Sequence, residues 1–304
     1  ATGLDGGAGD DVVVNFGTVD ANSHATSSST RWSLNLFGGT STTAGTQATA
    51  NAFGLGGGLG NHIVRNRSLV TTTGLSEASV DNSSWTLADA ANTSSIFNAT
   101  GLAAGITGVA GADQLHNDIG GSLSVFFTSK LTAKGGSTAI FGSAKDNTQL
   151  TAGGSAVGIA GDADNDIIQN RGLININATA DVTATKASVT FVGAPKAAAL
   201  LSAHATATGL DGGAGNDDVS NDADILVRAT GTSKLSGGVD AKLTGSPNTS
   251  GAGTANATAT GLEGGDGDNA IRNGGLVDLL AFGNSDTANS SSAGILFDVG
   301  GVPS

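Results

Sequence analysis

The chain of 304 residues contains no cysteine, methionine or tyrosine, only 3 prolines, and only 13 Lys+Arg. Each shortage excludes something. Without cysteine there is no disulfide framework, thiolate metal site or cysteine nucleophile, so an extracellular setting would demand another stabiliser. Charged residues make up 13% of the chain, about half of the roughly 25% usual in soluble domains, which argues against helices with Glu/Lys-rich surfaces. No apolar run approaches the ~18 residues of a membrane-spanning helix. The opening ATGLDGGAGDD lacks the basic-then-apolar pattern of a signal peptide, so a mature piece or an excised segment is expected. With 26 acidic residues against 13 basic ones, the net charge is −13. Such a chain repels nucleic acid and attracts cations.

What is abundant is glycine, with 49 residues, and repetition. GLDGGAGDDVVVNFG from Gly3 returns as GLGGGLGNHIVRNRS from Gly54, GITGVAGADQLHNDI from Gly105, GIAGDADNDIIQNRG from Gly158, GLDGGAGNDDVSNDA from Gly209 and GLEGGDGDNAIRNGG from Gly261. Spacings of 51, 51, 53, 51 and 52 residues account for the whole chain, so one repetitive domain over residues 1–304 is expected.

Within each copy the apolar residues recur with period two, the signature of strands. Ile174, Ile176 and Ala178 match Ile225, Val227 and Ala229, and Val277, Leu279 and Ala281. A later segment alternates again through Trp32, Leu34 and Leu36, Ala187, Val189 and Phe191, and Val239, Ala241 and Leu243. These are also read as inward-facing, as is Trp85. A last segment carries alanines: Ala48, Ala50 and Ala52, or Ala255, Ala257 and Ala259. Three to four strands per copy and no helix make the chain all-β. A parallel β-solenoid of six ~51-residue repeats is expected, and a six-bladed β-propeller is the alternative. The sixth copy ends at GILFDVGGVPS without an alanine strand, and only Ala1 and Thr2 precede the first turn, so closure by a shared terminal strand is disfavoured. Whether a copy is one wide coil or two narrower ones is left open.

Asn15, Asn66, Asn117, Asn170, Asn221 and Asn273 occupy one position in all six copies. In stacked strands such a column can pass side-chain hydrogen bonds from copy to copy, so a structural ladder is expected. The nine residues from each GL or GI onward hold 12 of the 26 acids in 54 of the 304 positions, with no Lys or Arg. Stacked ~4.8 Å apart, like charges repel by about 3 kcal/mol at an effective dielectric near 20. The expectation is that a hard cation neutralises this column, with Asp10, Asp11, Asp162, Asp164, Asp166, Asp211, Asp217, Asp218, Glu263, Asp266 and Asp268 as the candidate ligands of Ca²⁺. The alternative is turn chemistry alone, since Asp, Asn and Gly favour tight turns without metal.

The windows GGAGDDVVV, GGAGNDDVS and GGDGDNAIR resemble the G-G-x-G-x-D-x-U-x nonapeptide of RTX proteins, secreted bacterial toxins, proteases and adhesins. The departure from that family is that the windows stand ~51 residues apart rather than in tandem. The repeats are also similar in look to long repetitive surface proteins of bacteria, including cyanobacteria. These resemblances imply calcium binding and an extracellular or cell-surface scaffold, adhesin or filament.

Nothing points to an enzyme: His24, His62, His116 and His204 fall at different places in their repeats, and no G-x-S-x-G elbow occurs. Open solenoid ends would favour head-to-tail self-association. A second class of function is a module that binds glycan or ice through a flat face. An outward row of aromatics would mark the former, and Thr pairs such as Thr206/Thr208 and Thr258/Thr260 the latter.

Overall fold

The structure, a computed structural model, describes residues 1–244 and 248–293, with the backbone alone described over 239–244 and 289–293. Eighteen strands follow one another: β1 (Thr2–Ala8), β2 (Val12–Asn15), β3 (Val19–Phe37), β4 (Thr40–Leu59), β5 (Ile63–Asn66), β6 (Leu69–Ala88), β7 (Ala91–Ala110), β8 (Gln114–Asn117), β9 (Ser122–Phe141), β10 (Ala144–Ala160), β11 (Ile167–Asn170), β12 (Leu173–Val192), β13 (Lys196–Asp211), β14 (Asp218–Asn221), β15 (Ile225–Thr244), β16 (Asn248–Glu263), β17 (Ala270–Asn273) and β18 (Val277–Ala293). They form three parallel sheets of six strands, ordered β1-β4-β7-β10-β13-β16, β2-β5-β8-β11-β14-β17 and β3-β6-β9-β12-β15-β18. This is a parallel β-solenoid. A propeller is excluded, because each strand pairs with its counterpart one copy away and not with its sequence neighbour.

One copy is therefore one wide coil. Two long strands face each other, a four-residue strand closes one end, and a tight turn closes the other. A 20-residue strand spans roughly 65 Å, so the coil is wider than the six-coil stack is tall. The unequal spacings are absorbed outside the regular sheets. The third coil places two extra residues in the turn after Asn117, where Gly120 takes φ 87°. The fifth coil takes one extra residue in an irregularity opposite Thr190/Val192.

Near the short strand the interior is apolar. Leu55, Ile106, Ile159 and Leu210 from the first sheet, Val64, Leu115, Ile168 and Val219 from the second, and Val70, Leu123, Ile174 and Ile225 from the third are all fully buried. Each such side chain contributes about 1.5–3 kcal/mol. Phe127 fills space left by Gly74, Gly101 and Gly154, where an added Cβ would strike its ring. The alanine segment faces inward as expected, with Ala48, Ala50 and Ala52 buried.

The far half of the coil reverses the expected pattern. Trp32, Leu34 and Leu36 face solvent, Trp32 at 67% exposure. Ala187 and Phe191 are exposed and Trp85 and Val189 half-buried, while Ser84, Thr86, Ser137, Ser188 and Thr190 are buried. The cause is strand continuity. In β12 the inward set Ile174, Ile176 and Ala178 has even numbers, and the strand runs unbroken to Val192. Alternation then turns Ala187, Val189 and Phe191 outward. The side chains of Val239, Ala241 and Leu243, and the segment from 294 on, lie outside the described residues.

Candidate metal centre

The six Gly-Asp windows stack in register at the end of the coil that carries the short strand. Two positions in each require a left-handed backbone. Gly7, Gly58, Val109, Asp162, Gly213 and Gly265 form one column, and Gly9, Gly60, Gly111, Asp164, Gly215 and Gly267 the other, with φ between 73° and 149°. Glycine adopts such angles without penalty, and aspartate is among the few other residues that tolerate them. Asp162 and Asp164 thus replace the two turn glycines of the fourth coil.

Two hydrogen-bonded columns follow the turn. At the eighth position side chains reach towards the later coil. Asp10 Oδ1 accepts the Asn61 N–H at 2.9 Å, Asn61 Oδ1 that of Ala112 at 2.8 Å, Asn165 Oδ1 that of Asn216 at 2.7 Å, and Asn216 Oδ1 that of Asp268 at 2.8 Å. At the ninth position they reach towards the earlier coil. The Asp11 N–H donates to His62 Nδ1 at 3.1 Å, that of His62 to Asp113 Oδ1 at 2.7 Å, that of Asp113 to Asp166 Oδ1 at 2.8 Å, that of Asp166 to Asp217 Oδ1 at 2.8 Å, and that of Asp217 to Asn269 Oδ1 at 2.8 Å. A short acceptor at each position satisfies turn N–H groups that no sheet partner reaches.

Four residues further on, the asparagine column is a ladder. Nδ2 of Asn15, Asn66, Asn117, Asn170 and Asn221 donates to Oδ1 of the next asparagine at 2.9, 2.9, 2.8, 2.7 and 2.8 Å.

The acids do not fall in one line. They spread over several columns, interleaved with Asn, Gly and Ala, so most like charges are not stacked directly. Asp162, Glu263, Asp266 and Asp268 lie on the exposed rim of the turns. Asp164 Oδ2 accepts the Gly111 N–H at 3.1 Å, and Asp211 Oδ1 that of Gly213 at 3.1 Å. Burial pushes the Asp211 carboxyl above the usual range, and the neighbouring Glu263 adds to this. Asp218 leaves the turn for β14, where Arg272 Nη2 grips both its oxygens.

Only the ninth position stacks three carboxylates in succession. Asp113, Asp166 and Asp217 are buried, and their Oδ2 atoms, like that of Asp11, have no hydrogen-bond partner. A Cβ on Gly108 or Gly161 would strike the Oδ2 of Asp113 or Asp166, and one on Gly212 would stand 2.8 Å from that of Asp217. Glycine there makes the room these oxygens occupy. Burial pushes the Asp113 carboxyl up, against the lowering effect of the His62 N–H. It pushes Asp166 up to about 7, with the Asp113, Asp217 and Asp162 carboxylates adding to the shift.

Compared with family models, curated proteins and solved structures, the chain has no match.

Asp11, Asp166 and Asp217 are thus brought into one column, while the other predicted ligands are dispersed. Asp113 belongs with them although it was not among the candidates, and its place nine residues into its window was the signal. His62 also stands in this column, with Nδ1 3.8 Å from Asp11 Oδ2, a neighbour that its place in the repeat did not suggest. Among the described residues, no three His, Asp or Glu side chains converge as a metal cage. The carboxylate oxygens left without a partner for a cation to meet are the Oδ2 atoms of Asp11, Asp113, Asp166 and Asp217. On the outer face of the first sheet, Thr206 and Thr258 align with Ser155 and Leu102, and Thr208 is buried, so the column through Thr206 and Thr258 is not continued by threonine in the third and fourth coils.

Proposed function

We propose that this chain is an extracellular structural or adhesive repeat protein, a scaffold segment that calcium stabilises. The observation that carries the reading is the pairing of every sheet from first coil to last. Among the described residues, the outermost strands β1–β3 and β16–β18 have a sheet partner on one side only and so present the same rows of N–H and C=O groups that join the interior coils. Stacking can continue at either cross-section, by head-to-tail addition of copies or as part of a longer array. Calcium would be held at the ninth position by Asp11, Asp113, Asp166 and Asp217 with turn carbonyls. There it supplies positive charge to carboxylates that otherwise repel. Binding only the folded form, it stabilises it by mass action, the role that disulfides cannot fill here. No catalytic step belongs to this reading. The test is electron microscopy and light scattering of concentrated protein in calcium. Filaments of constant width that lengthen with concentration support it, and a monodisperse particle of fixed size contradicts self-assembly.

One observation favours a second reading, a glycan-binding face. The chain's two tryptophans both stand on the outer surface of the third sheet. Trp32 is followed there by Ser83, Gly136 and Ala187, and Leu34 by Trp85, Thr138 and Val189. Over these four coils the two columns carry no charge, and in the fifth coil Val189 is followed by Asp240. Flat aromatic surface beside hydroxyls suits the apolar face of a sugar ring. Quenching or shift of tryptophan fluorescence on titration with neutral polysaccharides, lost in Trp85→Ala, would support it. Unchanged spectra would remove it.

A further inference from the structure

Among the described residues, one Lys–Asp ion pair is fully buried in the interior, and it is placed where neither charge is well served. Lys186 on β12 and Asp146 on β10 reach towards each other across the space between the two long sheets. Nζ lies 3.3 Å from Oδ1, with side-chain exposures of 1% and 0%. The lysine stem fits because its register neighbours in the adjacent coils are Gly135 and Gly237. A Cβ on Gly135 would lie 3.4 Å from Nζ. Thr148 Oγ1 donates to Asp146 Oδ1 at 3.5 Å, and Oδ2 has no partner. A buried ion pair with unfilled hydrogen-bonding positions gains little from its charges, because removing both from water costs as much as their attraction returns.

We propose that Lys186 and Asp146 condense, without an enzyme, to an isopeptide bond that joins the first and third sheets covalently. The amine lone pair attacks Cγ of the protonated carboxyl and forms a C–N bond. The resulting tetrahedral centre loses one oxygen, which leaves as water with the carboxyl proton and one amine proton. No oxidant or reductant takes part, and the product is a neutral amide. Three features favour the reaction. The two groups are held in contact by strands paired on both sides, which supplies the proximity that an intermolecular amidation lacks. Burial pushes the Asp146 carboxyl up, although Lys186 pulls the other way. It pushes the Lys186 amine down, against the pull of Asp146. Both shifts populate the neutral acid and neutral amine that condensation requires. The Thr148 hydroxyl, already on Oδ1, is placed to polarise the carbonyl, and burial keeps out the water that would reverse the step. In a chain without cysteine, such a bond is a covalent tie between sheets.

The test is the intact mass of the folded, full-length chain after incubation at neutral pH, followed by proteolysis and tandem mass spectrometry. The expected result is a mass lower than the sequence mass by one water, with a branched peptide linking Lys186 to Asp146. Lys186→Arg keeps the charge and removes the nucleophile, and it should restore the full mass. A wild-type chain that stays at full mass overturns the proposal. So does a one-water deficit that persists in Lys186→Arg or maps to another aspartate, since cyclisation at an Asp-Gly step loses water too.

Discussion

Asp166 is the residue where stacking and charge conflict most directly. Its carboxyl is pushed up to about 7 in the folded chain, against an ordinary value near 3.9 when unfolded. A raised folded pKa gives stability that is fully present below the unfolded pKa and is lost as pH rises through the folded one. Calcium-free protein should therefore lose on the order of 2–3 kcal/mol between pH 5 and pH 8 from this group, read as a falling urea midpoint. Asp113, whose carboxyl burial also raises, adds to the loss in the same sense. Asp166→Asn should flatten the profile while keeping the fold, because Asn269 already accepts the neighbouring N–H in the same column at 2.8 Å. A wild-type profile that is flat, or that rises with pH, would show that the column does not carry this strain. The asparagine ladder gives a second residue-level expectation. Asn170→Ala removes the acceptor of Asn117 Nδ2 and the side-chain donor to Asn221 Oδ1, leaving them only the longer contacts to Leu173 O at 3.5 Å and the Ala223 N–H at 3.3 Å, and should cost ~1–3 kcal/mol. Asn273 lies exposed at the stack edge, so Asn273→Ala should cost no more than half as much in chemical denaturation.

At the scale of the strand, the far half of each coil depends on parity. Val182 and Val189 both lie on β12, but Val182 is fully buried and Val189 faces outward. Val182→Thr places a hydroxyl among apolar groups and should cost about 1–3 kcal/mol. Val189→Thr should stay within about 0.5 kcal/mol. Equal costs in urea unfolding would contradict the assigned faces. This pair also shows what the sequence made legible. The repeat, the all-β character with three to four strands per copy, the alanine segment and the asparagine column could all be read from spacing alone. The opposite parities of Ile174/Ile176 and Val189/Phe191 were visible too. Deciding that only one set faces inward required knowing that no turn or bulge separates them, and Gly, Ser and Thr around 135–137 and 183–188 read equally well as a break. The candidate site was legible in part for a similar reason. The windows located the acids, but the alternation of inward and outward side chains through two left-handed turn residues decides which are buried. It selects Asp113, Asp166 and Asp217 and leaves Asp266 and Asp268 on the rim.

At the scale of the whole molecule, the six coils form a stack in which hydrogen bonding, apolar burial and asparagine bonds all run along one axis. Stability should then grow coil by coil, with the end coils opening first, as in other repeat proteins. Hydrogen exchange should be slowest in β9 and β12, at the centre of the stack, and fastest in β1–β3. Uniform protection across the coils would contradict this. The same axis concentrates the buried carboxylates of the ninth position, which call for a positive partner near neutral pH. Thermal unfolding at pH 7.5, in calcium and in a chelator, tests that requirement most directly. A site held at 100 times its dissociation constant contributes about 2.7 kcal/mol. Calcium should therefore raise the midpoint clearly, an effect that magnesium does not reproduce and that shrinks in Asp166→Asn and Asp217→Asn. Identical midpoints with and without calcium in the wild-type chain would contradict it.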